Sequence, residues 1–382
     1  MNNYIYLFQA ILKIFSKLVI FLTTEKYQNS FPLPDESPEK IDKIMIESYF
    51  GAQKFYLLKT ALELKIFDYL SDSKTSEELS SSLDLDPVLT ELMLKSLYEL
   101  GIISIASKNG ETHYINTDGT DNYLKTDSKY SKSPSISASF NGIGRWVNLS
   151  EIMNGSKSEI METVFFPEII KRMANDTKAW ELQKTVEYVA KFSEFKSAKT
   201  LLDVAGGHGL YGISLGMLNE NLDVFVFDLP EVTVETKKFI EKYDAKNVDT
   251  IAGNFFTDEF GENYDVIFSS YNPGGKNPKI AEKVYRALKL GGIFVTKQAF
   301  PRLSVQSTSD NLNNMEWNFN SFNSTGKGIV RYTFDTDLTF EEYVSYLEEL
   351  GFEILETKPV YELIEFNEEI FPNNIIVAKK IK

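Results

Sequence analysis

Three glycines, Gly206, Gly207 and Gly209, punctuate the run LLDVAGGHGLYG, where an apolar segment gives way to a helix-like one. Glycine has no side chain to hold a ligand off, so a strand entering such a loop lets a bound molecule lie against bare backbone. Asp228 ends the next apolar run, NLDVFVFDLP, roughly 20 residues further on, where a carboxylate can accept from both hydroxyls of a ribose. Asn254, after a third run, VDTIAGNFF, is placed to read an adenine edge. The three positions together predict an adenosyl ligand at the carboxyl edge of a sheet. A second constellation comes after YDVIFSS: Tyr271, Asn272 and Pro273 put a phenol, an amide and a rigid bend at that same edge. Lys297 and Arg302 are the other polar residues near strand ends. SYNPGG reads equally well as a plain tight turn.

Composition narrows the chemistry further. The 382 residues carry a net charge of -15, which argues against a nucleic-acid partner, because phosphate binding needs clustered Lys and Arg. There is no Cys, so thiolate nucleophiles, disulfides and Cys-ligated zinc are excluded. His113 and His208 are too few for a polyhistidine metal site, and no metal is expected. This composition suits a cytoplasmic enzyme.

The elements that must hold these residues alternate strand and helix in the second half of the chain, the signature of a parallel sheet covered on both faces. KTLLDVAG, NLDVFVFDLP, VDTIAGNFF, YDVIFSS and IFVTKQAF read as successive strands; LYGISLGML, TVETKKFIEKY and NPKIAEKVYRAL read as helices, the last closed by KLGG. After an insertion come the helix TFEEYVSYLEELG and the strands FEILETKPV and NNIIVAKK. The first half differs. Three helical stretches precede two strands joined by KNGE, an order that reads as a winged helix. Thr75 with Glu78 forms a capping box, and Asp86 with Pro87 starts the next helix. That helix carries Glu91 and Glu99 against Lys95, so it suits a protein partner rather than DNA. Ahead of it, residues 4–22 form an apolar helix interrupted by Gln9, Lys13 and Lys17; it suits burial in a dimer or contact with a membrane surface. The expected organisation is an apolar helix and linker (1–35), a winged-helix unit (36–128), a helical linker lining the substrate pocket (129–197) and a nucleotide-binding domain (198–382).

The loop resembles the D-x-G-G-G-x-G of class I methyltransferases more than G-x-G-x-x-G, and FDLPEV resembles the segment after their second strand. With AGNFF and ALKLGGIFV, and over about residues 41–380, the layout resembles the plant-type O-methyltransferase family, including its bacterial and archaeal relatives. The resemblance implies an α/β fold: a Rossmann-like, seven-stranded domain with a helical, winged N-terminal domain that forms a homodimer. It implies S-adenosylmethionine as cofactor and a small-molecule acceptor between the linker helices and the sheet. Asp203, Gly206, Gly207 and Gly209 would line the methionine and ribose side, with His208 beside them. Asp228 would hold the ribose, Leu229 would flank the adenine, and Asn254 with Phe255 would sit at the ring.

Three departures stand out. Ala205 replaces the first glycine, Asn254 replaces an Asp, and Gly274 falls where the L-H-D-W pattern of phenol-methylating members has its catalytic His. Oxygen is the family's default acceptor atom, and the absence of that His brings nitrogen, sulfur or carbon into play. SYNPGG is also similar to the N-P-P-Y of amino-group methyltransferases, which makes Asn272 and Tyr271 the catalytic candidates. An enzyme using the cofactor without methyl transfer, or a non-catalytic S-adenosylmethionine-binding protein, stays open.

Overall fold

A computed structural model describes residues 2–108, 110–272, 274–301, 307–323, 326–367 and 373–382. Pro273 and Arg302 lie outside the described residues. Contacts divide the chain into two compact units between Thr60 and Ala61, inside the helix Glu39–Glu63.

The first unit holds the helix Asn2–Ser30 and most of Glu39–Glu63, parted by a segment containing Pro32 and Pro34, which cannot continue a helix. None of the described side chains of residues 9–60 is buried; Phe15 and Phe21 are 63% and 65% exposed. Among the described residues no helix is long and apolar enough to cross a membrane.

In the second unit, the helices Ile66–Tyr69, Ser76–Leu83 and Pro87–Glu99 precede a hairpin of β1 (Ile103–Lys108) and β2 (Glu111–Asn116). The expected caps form: Thr75 and Glu78 make a reciprocal capping box, and Asp86 accepts from Leu89 N–H ahead of Pro87. Leu79, Leu94, Leu97, Ile103 and Tyr114 bury the inner faces. Val88, Leu89 and Leu92 stay exposed on the outer face of Pro87–Glu99, where a DNA reader would carry basic residues.

A short strand, β3 (Ser158–Ile160), lies among the linker helices, of which Glu162–Thr177 and Glu181–Val189 reach the site. The sheet then begins with β4 (Thr200–Val204), β5 (Asp223–Asp228), β6 (Val248–Ala252), β7 (Tyr264–Ser270) and β8 (Leu288–Ala299). The chain adds β9 (Asn320–Phe322), which pairs in parallel with β3, and finishes with β10 (Phe352–Pro359) and β11 (Asn373–Lys380). The seven strands run in the order β10-β11-β8-β7-β4-β5-β6, with β11 antiparallel to both its neighbours. Leu201, Leu202, Val204, Val226, Val266, Ile267 and Phe268 are sealed, so these strands read as continuous apolar runs, as strands covered on both faces do. Strand order reverses between β4 and β7. A crevice opens at such a switch point, beyond the carboxyl ends of the strands.

One sequence expectation changes. KLGG does not close the helix Pro278–Ala287; Leu288 is already extended, and Lys289–Gly292 form an irregularity in β8, where pairing jumps from Tyr264 opposite Leu288 to Val266 opposite Ile293. Gly291 supplies φ +82°, and a Cβ on Gly292 would meet Asp265 O at 2.8 Å. The insertion after β8 carries the helix Thr308–Trp317 ahead of β9.

Candidate active site

The loop after β4 is shaped by close approach. A Cβ on Gly206 would lie 2.6 Å from Asp203 Cγ and 2.7 Å from Val226 Cγ1, so only a bare backbone can lie this flat over the strand ends. Gly207 and Gly209 take φ +55° and +70°, and Gly209 N–H donates to Gly206 O (2.9 Å), turning the chain into the helix Leu210–Leu218. Ala205 shares the left-handed conformation at φ +51°, a strained setting for a residue with a Cβ.

Asp203 and Asp228 support this loop from beneath and beside it. Asp203 is buried and accepts from Gly212 N–H (3.2 Å); burial, with the Asp228 charge adding, pushes its carboxyl up to about 7. Half-buried Asp228 accepts from Gly207 N–H (2.8 Å) and Leu229 N–H (2.7 Å), and burial raises it to about 6 against those two bonds. A carboxylate offers about four lone-pair sites, so two remain for donors from outside. Asn254 is exposed after β6; its Oδ1 accepts from Phe256 N–H (2.9 Å), and Phe255 and Phe256 lie ring to ring at 4.5 Å.

His208 turns inward. Its Nδ1 accepts from Leu210 N–H (3.0 Å), which leaves Nε2 as the protonated nitrogen, 3.3 Å from Thr177 Oγ1. Burial first, and the Lys297 charge second, lower it to about 4, so the ring stays neutral. Asn272 is buried as well: Nδ2 donates to Val204 O (3.0 Å) and Ser269 Oγ (2.9 Å), and Oδ1 accepts from Gln298 Nε2 (3.1 Å). These bonds tie together the ends of β4, β7 and β8. The turn is also fastened to the chain after β9, through Lys276 Nζ with Asp337 Oδ2 (3.5 Å) and Tyr332 O (2.7 Å), and Asn277 Nδ2 with Thr336 Oγ1 (2.8 Å).

A polar cluster that the sequence only hints at lies beside this turn. Lys297, fully buried near the end of β8, donates to Glu181 Oε1 (2.7 Å), Tyr211 Oη (2.6 Å) and Thr185 Oγ1 (3.1 Å), with its ammonium over the rings of Tyr211 (4.5 Å) and Tyr271 (4.6 Å). Tyr271, at φ +53°, donates to the same Glu181 oxygen (2.7 Å) and accepts from Asn373 Nδ2 (3.2 Å). Burial works to raise Glu181, but the Lys297 charge and the two hydrogen bonds outweigh it and hold the carboxyl below its usual range. Burial, joined by the Glu181 charge, raises Tyr211 and Tyr271 well above the ordinary phenol range. Lys297 and Tyr271 are visible in the sequence as polar residues near strand ends. Glu181 is not, because it sits in a helix without a motif, and Tyr211, although it follows the glycine-rich loop directly, carries no role in that pattern.

The O-methyltransferase domain model matches residues 166–336, and the O-methyltransferase dimerisation domain model matches residues 46–126. This chain belongs to the O-methyltransferase family. An uncharacterised protein of Methanocaldococcus jannaschii is 52% identical over 337 residues, covering 88% of this chain and 90% of that protein. An O-methyltransferase family protein from Burkholderia thailandensis shares the fold at a TM-score of 0.66 and 18% identity, over 89% of this chain and 97% of that one. Human N-acetylserotonin methyltransferase, solved in complex with S-adenosylmethionine, does so at 0.63 and 18%, over 92% and 100%. The protein is therefore a methyltransferase, and its dimerisation domain supports homodimer formation.

In this methyltransferase, Gly274 is the position where the sequence pattern leads one to expect the family's histidine. It adopts φ +82°, and a Cβ there would lie 2.7 Å from Phe256 Cζ, 2.9 Å from Phe334 Cδ2 and 3.3 Å from Phe255 Cζ. A side chain at this position after β7 would run into aromatic rings. Phe334 belongs to a wider aromatic wall with Phe322, Phe165, Phe166 and Trp317, brought together from the linker and from either side of β9.

Proposed function

We propose that this methyltransferase acts on a protic group of a small molecule lying between the aromatic wall and the loop after β7. The observation that carries the donor side is the geometry of Asp228. Its carboxylate is fixed by Gly207 and Leu229 N–H groups at the edge of the crevice and retains capacity for the two hydroxyls of a ribose. Gly206, Gly207 and Gly209 offer backbone to the rest of the donor, and Asp203 holds the loop from below. Leu229, Asn254 and Phe255 flank the place of the adenine. His208 serves this site through its backbone, since both ring nitrogens face protein partners.

S-adenosylmethionine supplies an electrophilic methyl group on a positively charged sulfur. The chain's own residues align the acceptor and exclude water, and alignment alone removes much of the barrier to a bimolecular transfer. Asn272 acts through the sheet: with its amide engaged by Val204, Ser269 and Gln298, it sets the path of the turn. Relatives named for O-methylation support oxygen as the acceptor atom, whereas the aromatic filling around Gly274 supports an acceptor that does not rely on a base at that position. For the apolar first helix, which precedes the matched dimerisation domain, burial in a dimer and lipid contact through residues 4–22 are both suggested by composition alone.

Calorimetric titration with S-adenosylmethionine and its demethylated product tests the donor site. Asp228→Ala removes two charge-assisted hydrogen bonds of about 1.5–3 kcal/mol each, so affinity is expected to fall at least about 100-fold. Retained affinity would refute the ribose assignment. Mass-spectrometric detection of methyl transfer across phenols, amines and thiols tests the reaction. Donor binding without transfer to any of them would point to use of the cofactor without methylation.

A further inference from the structure

We propose that Glu181 receives the acceptor's proton during methyl transfer, an inference that rests on the reading above. Its Oε1 is held by two donors, the Lys297 ammonium and the Tyr271 hydroxyl, whereas Oε2 takes no hydrogen bond from a described residue. Lys297 is fully sealed, but the Glu181 side chain is 25% exposed, so Glu181 is the member of this ion pair that is open to approach from outside. Tyr211 starts two residues after Gly209 and packs its ring 5.1 Å from Phe268 of β7, which sets the cluster beside the donor loop.

Two independent features point to a ligand here. Three non-glycine residues in left-handed backbone converge on this edge: Trp180 (φ +92°), directly before Glu181, Tyr271 (φ +53°) and Ala205 (φ +51°). Strain of this kind persists where surrounding structure enforces it, and it collects at functional sites. Asn373 also donates through Nδ2 to Tyr271 and leaves Oδ1 buried without a partner. Asn373 and Glu181 both bond the Tyr271 hydroxyl, and each keeps an oxygen that no described residue engages, which suits a molecule that brings hydrogen-bond donors, an alcohol, phenol or amine.

The step balances without another reactant. An acceptor O–H or N–H donates to Glu181 Oε2, the lone pair of that oxygen or nitrogen forms the bond to the methyl carbon, and the carbon–sulfur bond breaks with its electron pair left on sulfur. The proton passes to Oε2 as the acceptor's acidity rises. Lys297 and Tyr271 are positioning residues that keep Oε1 fixed while Oε2 changes charge.

Glu181→Gln tests this with little change in shape, because its carbonyl oxygen can keep the bonds to Lys297 and Tyr271 while its NH2 replaces Oε2 and cannot accept a proton. Melting temperature is expected to fall, because the buried Lys297 ammonium loses its counter-charge, while calorimetric affinity for S-adenosylmethionine is expected to stay near wild type. With an acceptor found among phenols and amines, kcat is expected to fall at least about 100-fold, the usual scale for a lost general base. A second readout needs no turnover. In enzyme filled with the demethylated cofactor, wild type is expected to bind the acceptor at least about tenfold tighter than its methylated product, and Glu181→Gln to lose that preference. Turnover within about threefold of wild type, or a retained preference, overturns the proposal. If Glu181→Gln does not fold, Glu181→Asp carries the comparison: its carboxylate is drawn back by one methylene, so an unchanged kcat overturns the proposal and a loss of about tenfold supports it. A wild-type protein that binds the donor but methylates nothing overturns the methyl-transfer reading itself, a result distinct from a variant that matches wild type.

Discussion

Replacing Gly274 by His restores the residue that phenol-methylating relatives are expected to carry, and the structure predicts that the restored enzyme is worse. The position has φ +82°, which costs an L-residue about 1–2 kcal/mol. The first side-chain atom alone would stand 2.7 Å from Phe256 and 2.9 Å from Phe334, and overpacking of that kind costs about 1–3 kcal/mol. The expected loss is therefore about 2–5 kcal/mol. At about 2.1 cal/mol/K per residue over the roughly 320 residues of the larger unit, the melting entropy is about 0.7 kcal/mol/K, so the midpoint should drop by about 3–7 °C. Circular dichroism melts of wild type, Gly274→Ala and Gly274→His measure this, with the alanine variant already showing most of the fall. Phenol methylation by Gly274→His should not exceed that of wild type. A histidine variant that melts with wild type and gains phenol turnover would refute the assignment of this space to the aromatic wall.

The buried polar groups give two further expected outcomes. Asp203 is raised to about 7 in the folded protein, so the folded state binds a proton that the unfolded state has released above about pH 4; the stability this gives is present at low pH and lost as pH rises through about 7. Asp203→Asn removes that titration, and the stability of wild type relative to the variant, measured by urea unfolding, should decline from pH 5 to pH 8; a constant difference would refute it. Asn272→Ala deletes three hydrogen bonds and strands buried partners, with an expected cost of about 2–4 kcal/mol in urea midpoints. A variant of wild-type stability with selectively lost turnover would instead place its amide on the acceptor.

The donor side is readable in the sequence because its parts are local. Val204 to Leu210 and Val226 to Leu229 combine buried strands, which appear as continuous apolar runs, with glycines whose conformations nothing else adopts cheaply. The acceptor side is not. Glu181 lies in WELQKTVEYV, where a first-turn carboxylate looks like any solvated one; only the fold brings Lys297 to it from 116 residues away. The pair β3 and β9 leaves no sequence signal because three-residue strands carry no period. KLGG misleads because two glycines after a helix usually mark its end, and here they relieve crowding inside a strand. The aromatic packing around Gly274 is equally silent, since nothing in the sequence marks Phe256 and Phe334 as partners.

The parallel contact of Ser158–Ile160 with Asn320–Phe322 has an evolutionary consequence. The proposed donor loop and its carboxylates come from one continuous stretch, while the aromatic cluster proposed to face the acceptor comes from segments that β3 and β9 bring together. Changes in ring size at Phe165, Phe322 or Phe334 would reshape the chamber without touching Asp228 or the glycines. A lineage can therefore exchange one acceptor for another by drift in the wall, while its grip on the methyl donor is inherited intact.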